Sequence, residues 1–595
     1  MKKLNDSKPN RLSKRLAHKR INPFLILSSI LLLSFVIMAL PGVRARFTAA
    51  AQPQKGSAES QISDSAQLQI KALLDEKESR TPAQQKIDSQ LIYAGKMYRG
   101  QSIAAGIPTL EVNVGLESDG RVVVDITANV IDEKLLAGIK AAGGEVLIVS
   151  EPYRSIRAKL PINQLETIAG FSQVRFIQPE QKAMVSSQRA TSGNQSDSQA
   201  QAPGFETRAE HVREQLSDVL NNAILPNGTL SVGTFASEGD TTHRASTARG
   251  TFNVDGTGIK IGVLSNGVVN LAASQALGDL GTVTVLPGQT GSADEGTAML
   301  EIVHDLAPGA QLFFATGLPT ITQFAQNIRD LRTAGCDIIV DDLGYFVESP
   351  FQDGQTGVTN TNGGVVTQAV NDVVASGALY FSSAANSGNK NDNTSGTWEG
   401  DFVSGGTLAL IPGGGLVHDF DPSAAVAQNN LLTLGGGATN PVNVSWSDPL
   451  GGSSNDYDLF ILNNAGTTVV ASSTNVQSGT QDPYEQTGSN TTNNRAVIRQ
   501  KTGAANRFLH LSTNRGRLNF NTEGETHGHS CATGAYGVAA TPSYSPFNFA
   551  PPPVFGPFPN MFSTADKVET FSSDGPRRIF FNGNGTAITP GDFSS

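Results

Sequence analysis

Between residues 258 and 389 the sequence alternates short apolar runs with amphipathic helical patterns, and this alternation limits the possible folds more than any other feature. Apolar runs begin at residues 258, 311, 336 and 378, and helical periodicity covers residues 321–334 and 365–375. Strands that alternate with crossover helices form parallel sheets with helices on both faces. The sequence therefore predicts an α/β domain in this region.

Polar residues follow the ends of the predicted strands. Asn266 ends the first strand, Asp341 and Asp342 end a later one, and Asn386 follows the last; Glu295 lies in an acidic turn between them. Folds of this kind place their chemistry at the carboxyl ends of the strands. Adjacent strand residues point to opposite faces, so we expect only one of the two aspartates to reach a shared site.

A chain of 595 residues is too long for a single core, and we expect several domains. The net charge is −10, and the concentrated basic charge lies in the first twenty residues, which argues against nucleic-acid binding by the folded part. The two cysteines, Cys336 and Cys531, do not form a disulfide framework. Whether they bridge each other stays open at this point.

The N-terminus predicts an exported protein. A basic head precedes the apolar residues 24–40, and small residues lead to Ala45, so residues 1–45 read as a signal peptide cleaved after Ala45. The alternative is a retained anchor, because a run of about seventeen apolar residues is at the lower limit for crossing a bilayer. Either way we expect a secreted or extracytoplasmic protein, and after cleavage no stable membrane insertion. Residues 46–108 are expected to be a linker or a weakly helical arm.

Residues 109–183 predict a small α+β domain. Strand patterns and helix patterns follow one another in the order βαββαβ, which is a ferredoxin-like plan. Residues 184–250 are predicted to be a linker, and the α/β domain is expected to cover residues 251–404 and 523–595.

Residues 405–522 do not continue the α/β alternation. Short strand patterns separated by turns predict an inserted antiparallel β-sandwich. The run 455–461, with Asp456 and Asp458, resembles the D-x-D-L strand of bacterial prepeptidase-C-terminal modules. That resemblance implies a possible calcium site, whereas the residues alone also fit a polar hairpin edge. No other cofactor is expected.

Five segments resemble motifs of subtilases and their sedolisin relatives, in the same order along the chain. The segments are 264–267, 294–297, 383–386, 533–541 and 568–577. The fourth and fifth resemble the family pattern V-G-A … F-S-S-x-G, and the third resembles A-A-G-N. The chain is thus similar to the subtilisin-kexin-sedolisin serine peptidases, which implies a subtilisin-like sheet and hydrolysis of protein or peptide substrates. Beside such a domain, residues 109–183 look like a subtilase propeptide domain; an unrelated small module is the alternative.

The resemblance implies roles for three residues. Glu295 stands where subtilases have their catalytic histidine, as glutamate does in sedolisins, so it is the candidate base; by itself it also fits a helix N-terminal charge. Asp342 is the candidate second carboxyl that shares a proton with Glu295, and a solvated loop carboxylate is the alternative. Asn386 is the candidate oxyanion donor, although asparagine also suits the turn before Gly388.

The sequence also departs from the family. Asn266 carries no charge where subtilases have an aspartate, Met299 stands where sedolisins have an aspartate, and no G-T-S-[AM] follows Ser573. The histidines at 527 and 529 do not replace a catalytic triad or make a recognised metal site. We therefore expect a serine-peptidase-like chain that ends ahead of its nucleophile and is inactive as it stands. The alternative is a non-catalytic surface or adhesion protein that reuses the fold.

Overall fold

The computed structural model describes residues 61–185, 236–437, 439–543 and 556–588. The described chain begins with two helices, α1 (Asp64–Glu78) and α2 (Ser89–Tyr98). Of the two alternatives for residues 46–108, a linker or a weakly helical arm, the described part is helical. Ala66, Ile70 and Leu73 make a buried stripe along α1 at helical spacing. The many Gln and Lys side chains between them hid this stripe in the sequence.

A four-stranded antiparallel sheet follows, and its elements alternate as βαββαβ. They are β1 (Arg121–Ala128), α3 (Glu133–Ala141), β2 (Glu145–Ser150), β3 (Ser155–Pro161), α4 (Leu165–Ala169) and β4 (Val174–Pro179). The strand order across the sheet is β2-β3-β1-β4. A short fifth strand, β5 (Ala183–Val185), leaves this sheet and pairs elsewhere.

The α/β part begins with helices, so the predicted linker at 184–250 contains ordered elements within its described residues. In chain order the elements are α5 (Gly239–Thr242), α6 (Ala245–Phe252), β6 (Lys260–Ser265), α7 (Leu271–Leu277), β7 (Val283–Val285), α8 (Glu295–Leu306), β8 (Gln311–Thr316), α9 (Ile321–Thr333), β9 (Ile338–Asp341), β10 (Leu343–Tyr345), β11 (Gln352–Asp353), α10 (Val365–Ala375) and β12 (Leu379–Ser383).

The central sheet is parallel, and both of its faces are covered. Its strands lie in the order β24-β12-β9-β6-β8-β7, where β24 is Ala535–Val538. Val263 packs with Leu300 of α8 on one face, whereas its neighbour Leu264 packs with Phe324 of α9 on the other. Because consecutive strand residues alternate between faces, each face has its own apolar core.

An antiparallel sandwich interrupts this sheet. Its strands are β13 (Thr397–Asp401), β14 (Ser404–Thr407), β15 (Leu416–His418), β16 (Asn430–Leu434), β17 (Val442–Trp446), β18 (Tyr457–Leu462), β19 (Val469–Ser473), β20 (Tyr484–Thr487), β21 (Arg495–Gln500), β22 (Phe508–Ser512) and β23 (Arg517–Leu518). The first strand precedes the predicted boundary at residue 405. One sheet has the order β13-β22-β17-β20, and the other is built around β21. Trp446 and Leu459, from the two sheets, are fully buried in the core between them.

The last strand, β25 (Phe581–Asn582), pairs in parallel with β11. Within the described ranges, no helix has both the length and the apolar character needed to cross a membrane. The predicted signal peptide at residues 1–45 lies outside those ranges.

Candidate functional site

A cavity of about 480 Å³ opens at the carboxyl ends of β9 and β12. Glu295, Asp342 and Asn386 all line it, although they come from three different segments of the chain. The position agrees with the rule that parallel sheets gather functional side chains at this edge. The three residues singled out from the sequence therefore lie around one space.

Asn266 fixes the position of Glu295 at the N-terminus of α8. The Asn266 Nδ2 amide donates to Glu295 Oε2 at 3.3 Å, and the Glu295 backbone N–H donates to Asn266 Oδ1 at 3.1 Å. The sequence suggested that Asn266, being uncharged, removes the usual orienting group at this strand. The structure shows that an amide orients the carboxylate of Glu295 instead.

Two glycines allow this contact. A Cβ on Gly296 would lie 2.4 Å from Phe314 Cε2 and 2.7 Å from the Gly267 carbonyl oxygen. A Cβ on Gly267 would lie 2.5 Å from the Ala293 carbonyl oxygen. Only glycine lets the start of α8 approach the turn after β6 this closely. Packing alone therefore explains why a glycine follows Glu295.

Asp342 follows β9 directly and is half-buried. Its Oδ1 atom is buried and makes no hydrogen bond to any residue in the described ranges. Both Asp341 and Asp342 are among the residues around the cavity, but the Asp341 carboxylate is hydrogen-bonded to Ser382 and lies 3.1 Å from His529 Nε2. The expected alternation of faces applies only where strand geometry continues. Strand β9 ends at Asp341, and the alternation of faces does not extend to the next residue.

The carboxylate of Asp341 belongs to a buried network around His529. His529 lies between Asp341 Oδ1, at 3.1 Å from Nε2, and Glu348 Oε2, at 2.9 Å from Nδ1. Ser382 Oγ donates to Asp341 Oδ1 at 2.8 Å and lies 3.2 Å from His529 Nε2. Sequence reasoning missed this group, because Glu348 and His529 are far apart in the chain and neither belongs to a motif.

His529 resembles a general base in position but not in charge. Burial favours the neutral ring, but Glu348 and Asp341 outweigh it and raise the pKa of His529 well above the usual value of 6.5. An imidazolium that holds its proton cannot accept one from Ser382. The network is therefore an ion cluster that supports the strands behind the cavity.

The turn that carries Asn386 is held in an unfavourable backbone conformation. Ala385 has a φ of 72°, in the left-handed region that costs about 1–3 kcal/mol for a residue other than glycine. The Ser573 backbone N–H donates to the Ala385 carbonyl at 3.0 Å, and the Ser387 N–H donates to Ser573 Oγ at 3.0 Å. The F-S-S-D-G segment thus fixes the Asn386 turn from a distant part of the chain.

A strand from the small α+β part lies beside the cavity. β5 pairs antiparallel with β10, and Val185 is opposite Leu343, the residue after Asp342. The main chain of residues 183–185 therefore adds a strand to the edge of the candidate cleft. This mode of contact is the one by which many proteins bind extended peptides.

The Asp456–Asp458 pair, the possible calcium site, is occupied by a lysine. Lys77 Nζ of α1 lies 2.5 Å from Asp456 Oδ1 and 2.8 Å from Asp458 Oδ1, and Arg499 Nη1 lies 2.7 Å from Asp458 Oδ2. Burial raises the pKa of Asp458, but Lys77 and Arg499 outweigh it and lower that pKa. Among the described residues, no cluster of three or more His, Cys, Asp or Glu could hold a metal.

The structure also describes the two cysteines and the Gly585-Thr586-Ala587 sequence. Cys336 and Cys531 are both free thiols and do not bridge. The Gly585-Thr586-Ala587 sequence lies in a turn, where the Asn582 backbone N–H donates to the Thr586 carbonyl at 2.9 Å. This sequence is therefore a turn and not the start of a helix.

Comparison with known proteins gives no close relative. No family model matches the chain, and no curated protein matches it. Solved structures with some similarity include the epidermin leader peptide processing serine protease from Staphylococcus aureus, at 10% identity and a TM-score of 0.28, covering 46% of this chain and 62% of that one.

Two other solved structures are similar to a comparable degree. Fervidolysin from Fervidobacterium pennivorans, described as a keratinolytic enzyme related to subtilisin, has 13% identity and a TM-score of 0.24, with 45% of this chain and 40% of that one covered. MycP1 from Mycobacterium smegmatis has 12% identity and a TM-score of 0.17, covering 28% and 48%. Each match spans less than two thirds of the solved chain. Similarities this weak say nothing about the function of this chain. The function is inferred below from the residues around the cavity.

Proposed function

We propose that this chain carries the greater part of a subtilase/sedolisin-like serine endopeptidase site and acts on extended peptide chains outside the cytoplasm. One observation carries the proposal: Glu295, Asp342 and Asn386 line a single cavity at the carboxyl ends of the central strands. The motif order along the sequence and the antiparallel contact between β5 and β10 support it further.

In the proposed reaction a serine hydroxyl attacks the carbonyl carbon of the scissile peptide bond, and its proton passes to the Glu295 carboxylate. The Asn386 amide donates to the resulting oxyanion, a contact worth about 3–4 kcal/mol in enzymes that use it. Glu295 then protonates the leaving amine, and an ester with the serine forms as the C–N bond breaks. Water hydrolyses this ester by the same route, and Asp342 shares the proton with Glu295. We place the nucleophilic serine outside the described residues.

In this proposal residues 109–183 form a ferredoxin-like propeptide domain, and β5 occupies the cleft until it is removed. The signal peptide at residues 1–45 directs export. The sandwich is the inserted module beside the cleft. Calcium has no role in the reaction as proposed.

Labelling with a fluorophosphonate tests the proposal, because this probe reacts with serines that a neighbouring base has activated. The full chain is compared with a chain extended through the downstream coding sequence. We expect no labelling of the 595-residue chain, and labelling of one added serine in the extended chain together with casein cleavage that is fastest below neutral pH.

Glu295→Gln in the extended chain should abolish both labelling and cleavage. Glu301→Gln, on the same helix α8, is the matched control and should retain them. Equal labelling of the Glu295→Gln variant would refute the role of Glu295. If the coding sequence stops at Ser595, the non-catalytic binding protein becomes the better hypothesis.

A further inference from the structure

Arg515 belongs to the inserted sandwich, and its side chain contacts the strand β5 that lies beside the cleft. It lies in the turn between β22 and β23, and its side chain is buried, with only 8% of the residue exposed. Its Nη2 atom donates to the Val185 carbonyl oxygen at 2.6 Å. Val185 is the last described residue of β5 and is opposite Leu343, so this hydrogen bond lies next to Asp342.

The backbone of the turn is built to direct this side chain. Asn514 and Arg515 both have positive φ values, 44° and 73°, which are unfavourable for residues other than glycine. The Asn514 side chain is buried and donates to the Pro441 carbonyl at 2.6 Å and to Asn443 Oδ1 at 3.0 Å. Unfavourable conformations that the surroundings enforce are concentrated at functional sites.

The charges around Arg515 also connect it to the cleft. Burial lowers the pKa of Arg515, and the negative charges of Asp342 and Glu295 act in the opposite direction. The two carboxylates therefore favour the charged form of the Arg515 guanidinium. Arginine suits this position because it keeps its charge when buried and offers several donors in a fixed plane.

We propose that Arg515 is a substrate-positioning residue, supplied to the cleft by the sandwich, which binds the main-chain carbonyl of whichever residue occupies the place of Val185. The insertion is then part of the peptide-binding site. This inference rests on the proposed function only in taking β5 to stand in for a substrate strand; the contact itself is present in the chain as it is.

Hydrogen exchange of the full chain tests the contact without any catalytic step. In Arg515→Met the amides of β5 and β10 should exchange about ten- to a hundredfold faster, because a charge-assisted hydrogen bond that holds the strand is lost. Arg515→Lys, which keeps the charge, should lie in between. Arg517→Met, at an exposed position two residues further on, is the matched control and should leave these amides unchanged.

This measurement does not depend on peptide cleavage, so a failure of the proposed function does not affect the result.

Unchanged exchange of β5 and β10 in Arg515→Met would overturn the inference. An increase spread evenly over β13, β17, β20 and β22 would also overturn it, because the arginine would then stabilise the sandwich and not the cleft.

Discussion

Asn266 and Glu295 hold each other through two reciprocal hydrogen bonds, one from the Asn266 amide to Glu295 Oε2 at 3.3 Å and one from the Glu295 backbone N–H to Asn266 Oδ1 at 3.1 Å. The pair joins the end of strand β6 to the first residue of helix α8. A carboxylate held in this way at a helix N-terminus keeps a fixed direction toward the cavity that it lines.

Replacing Asn266 by alanine should lower the free energy of unfolding by about 1–3 kcal/mol, since both hydrogen bonds are lost at a half-buried position. Urea unfolding measures the change. Asn270→Ala removes an exposed contact to Asp294 and should cost less. Equal losses in the two variants would mean that the Asn266–Glu295 pair adds nothing beyond an ordinary surface hydrogen bond.

Gly296→Ala should destabilise the chain by about 1–3 kcal/mol, because the new Cβ would lie 2.4 Å from Phe314 Cε2 and 2.7 Å from the Gly267 carbonyl. Gly250→Ala in α6 is the control, since its Cβ would meet nothing within 4 Å. Helix propensity should make that change neutral or stabilising by up to about 1 kcal/mol. Thermal unfolding of both variants measures the change in stability. A stabilised Gly296→Ala protein would contradict the close packing of Gly296 against Phe314.

His529→Leu should cost about 3–5 kcal/mol near pH 6, because it leaves Asp341 and Glu348 buried without their cation. The pKa of His529 is raised in the folded chain above 6.5, so its contribution is complete below pH 6.5 and is lost as the pH rises through the folded value. The difference from the parent chain should therefore shrink between pH 6 and pH 9 in urea unfolding experiments.

His418 supplies the control for that pH dependence. It is fully buried among aromatic rings, and burial lowers its pKa to about 3. Its contribution is complete above pH 6.5 and is lost only as the pH falls toward 3. His418→Leu should therefore show a constant difference above pH 6.5, and a shrinking one would remove the charge-based account of His529.

Lys77→Met should lower the free energy of unfolding by about 3–5 kcal/mol, because Asp456 and Asp458 are almost completely buried and lose the ammonium group that they share. Lys71→Met, which breaks an exposed i,i+4 pair with Asp75, should cost under about 1 kcal/mol. EDTA should leave the Tm of the parent chain unchanged, since the lysine occupies the acidic pair. A fall in Tm with EDTA, restored by calcium, would show that the pair holds a metal.

Several elements of the central α/β domain were predictable from the sequence. The patterns at 311–316 and 365–375 coincide with β8 and α10, and the pattern at 321–334 exceeds α9 by a single residue. These elements are readable because side-chain periodicity of 2 or 3.6 residues is a local property of the chain. Helix α1 was missed because its buried apolar residues lie among Gln and Lys residues. In α2 the consecutive residues Ser89–Gly95 are all buried, so the burial has no helical periodicity that the sequence could show.

The sequence by itself determined the order of the elements, the α/β class of the central domain and the identity of Glu295, Asp342 and Asn386 as candidates. Only the tertiary structure decided that these three residues line one cavity and that Asn266 orients Glu295. It also decided that Lys77 contacts the acidic pair of the sandwich and that Arg515 contacts the strand beside the cleft. The reason is physical: periodicity records which face of an element is buried, whereas the partner of a charged side chain depends on strand register and domain packing across hundreds of residues.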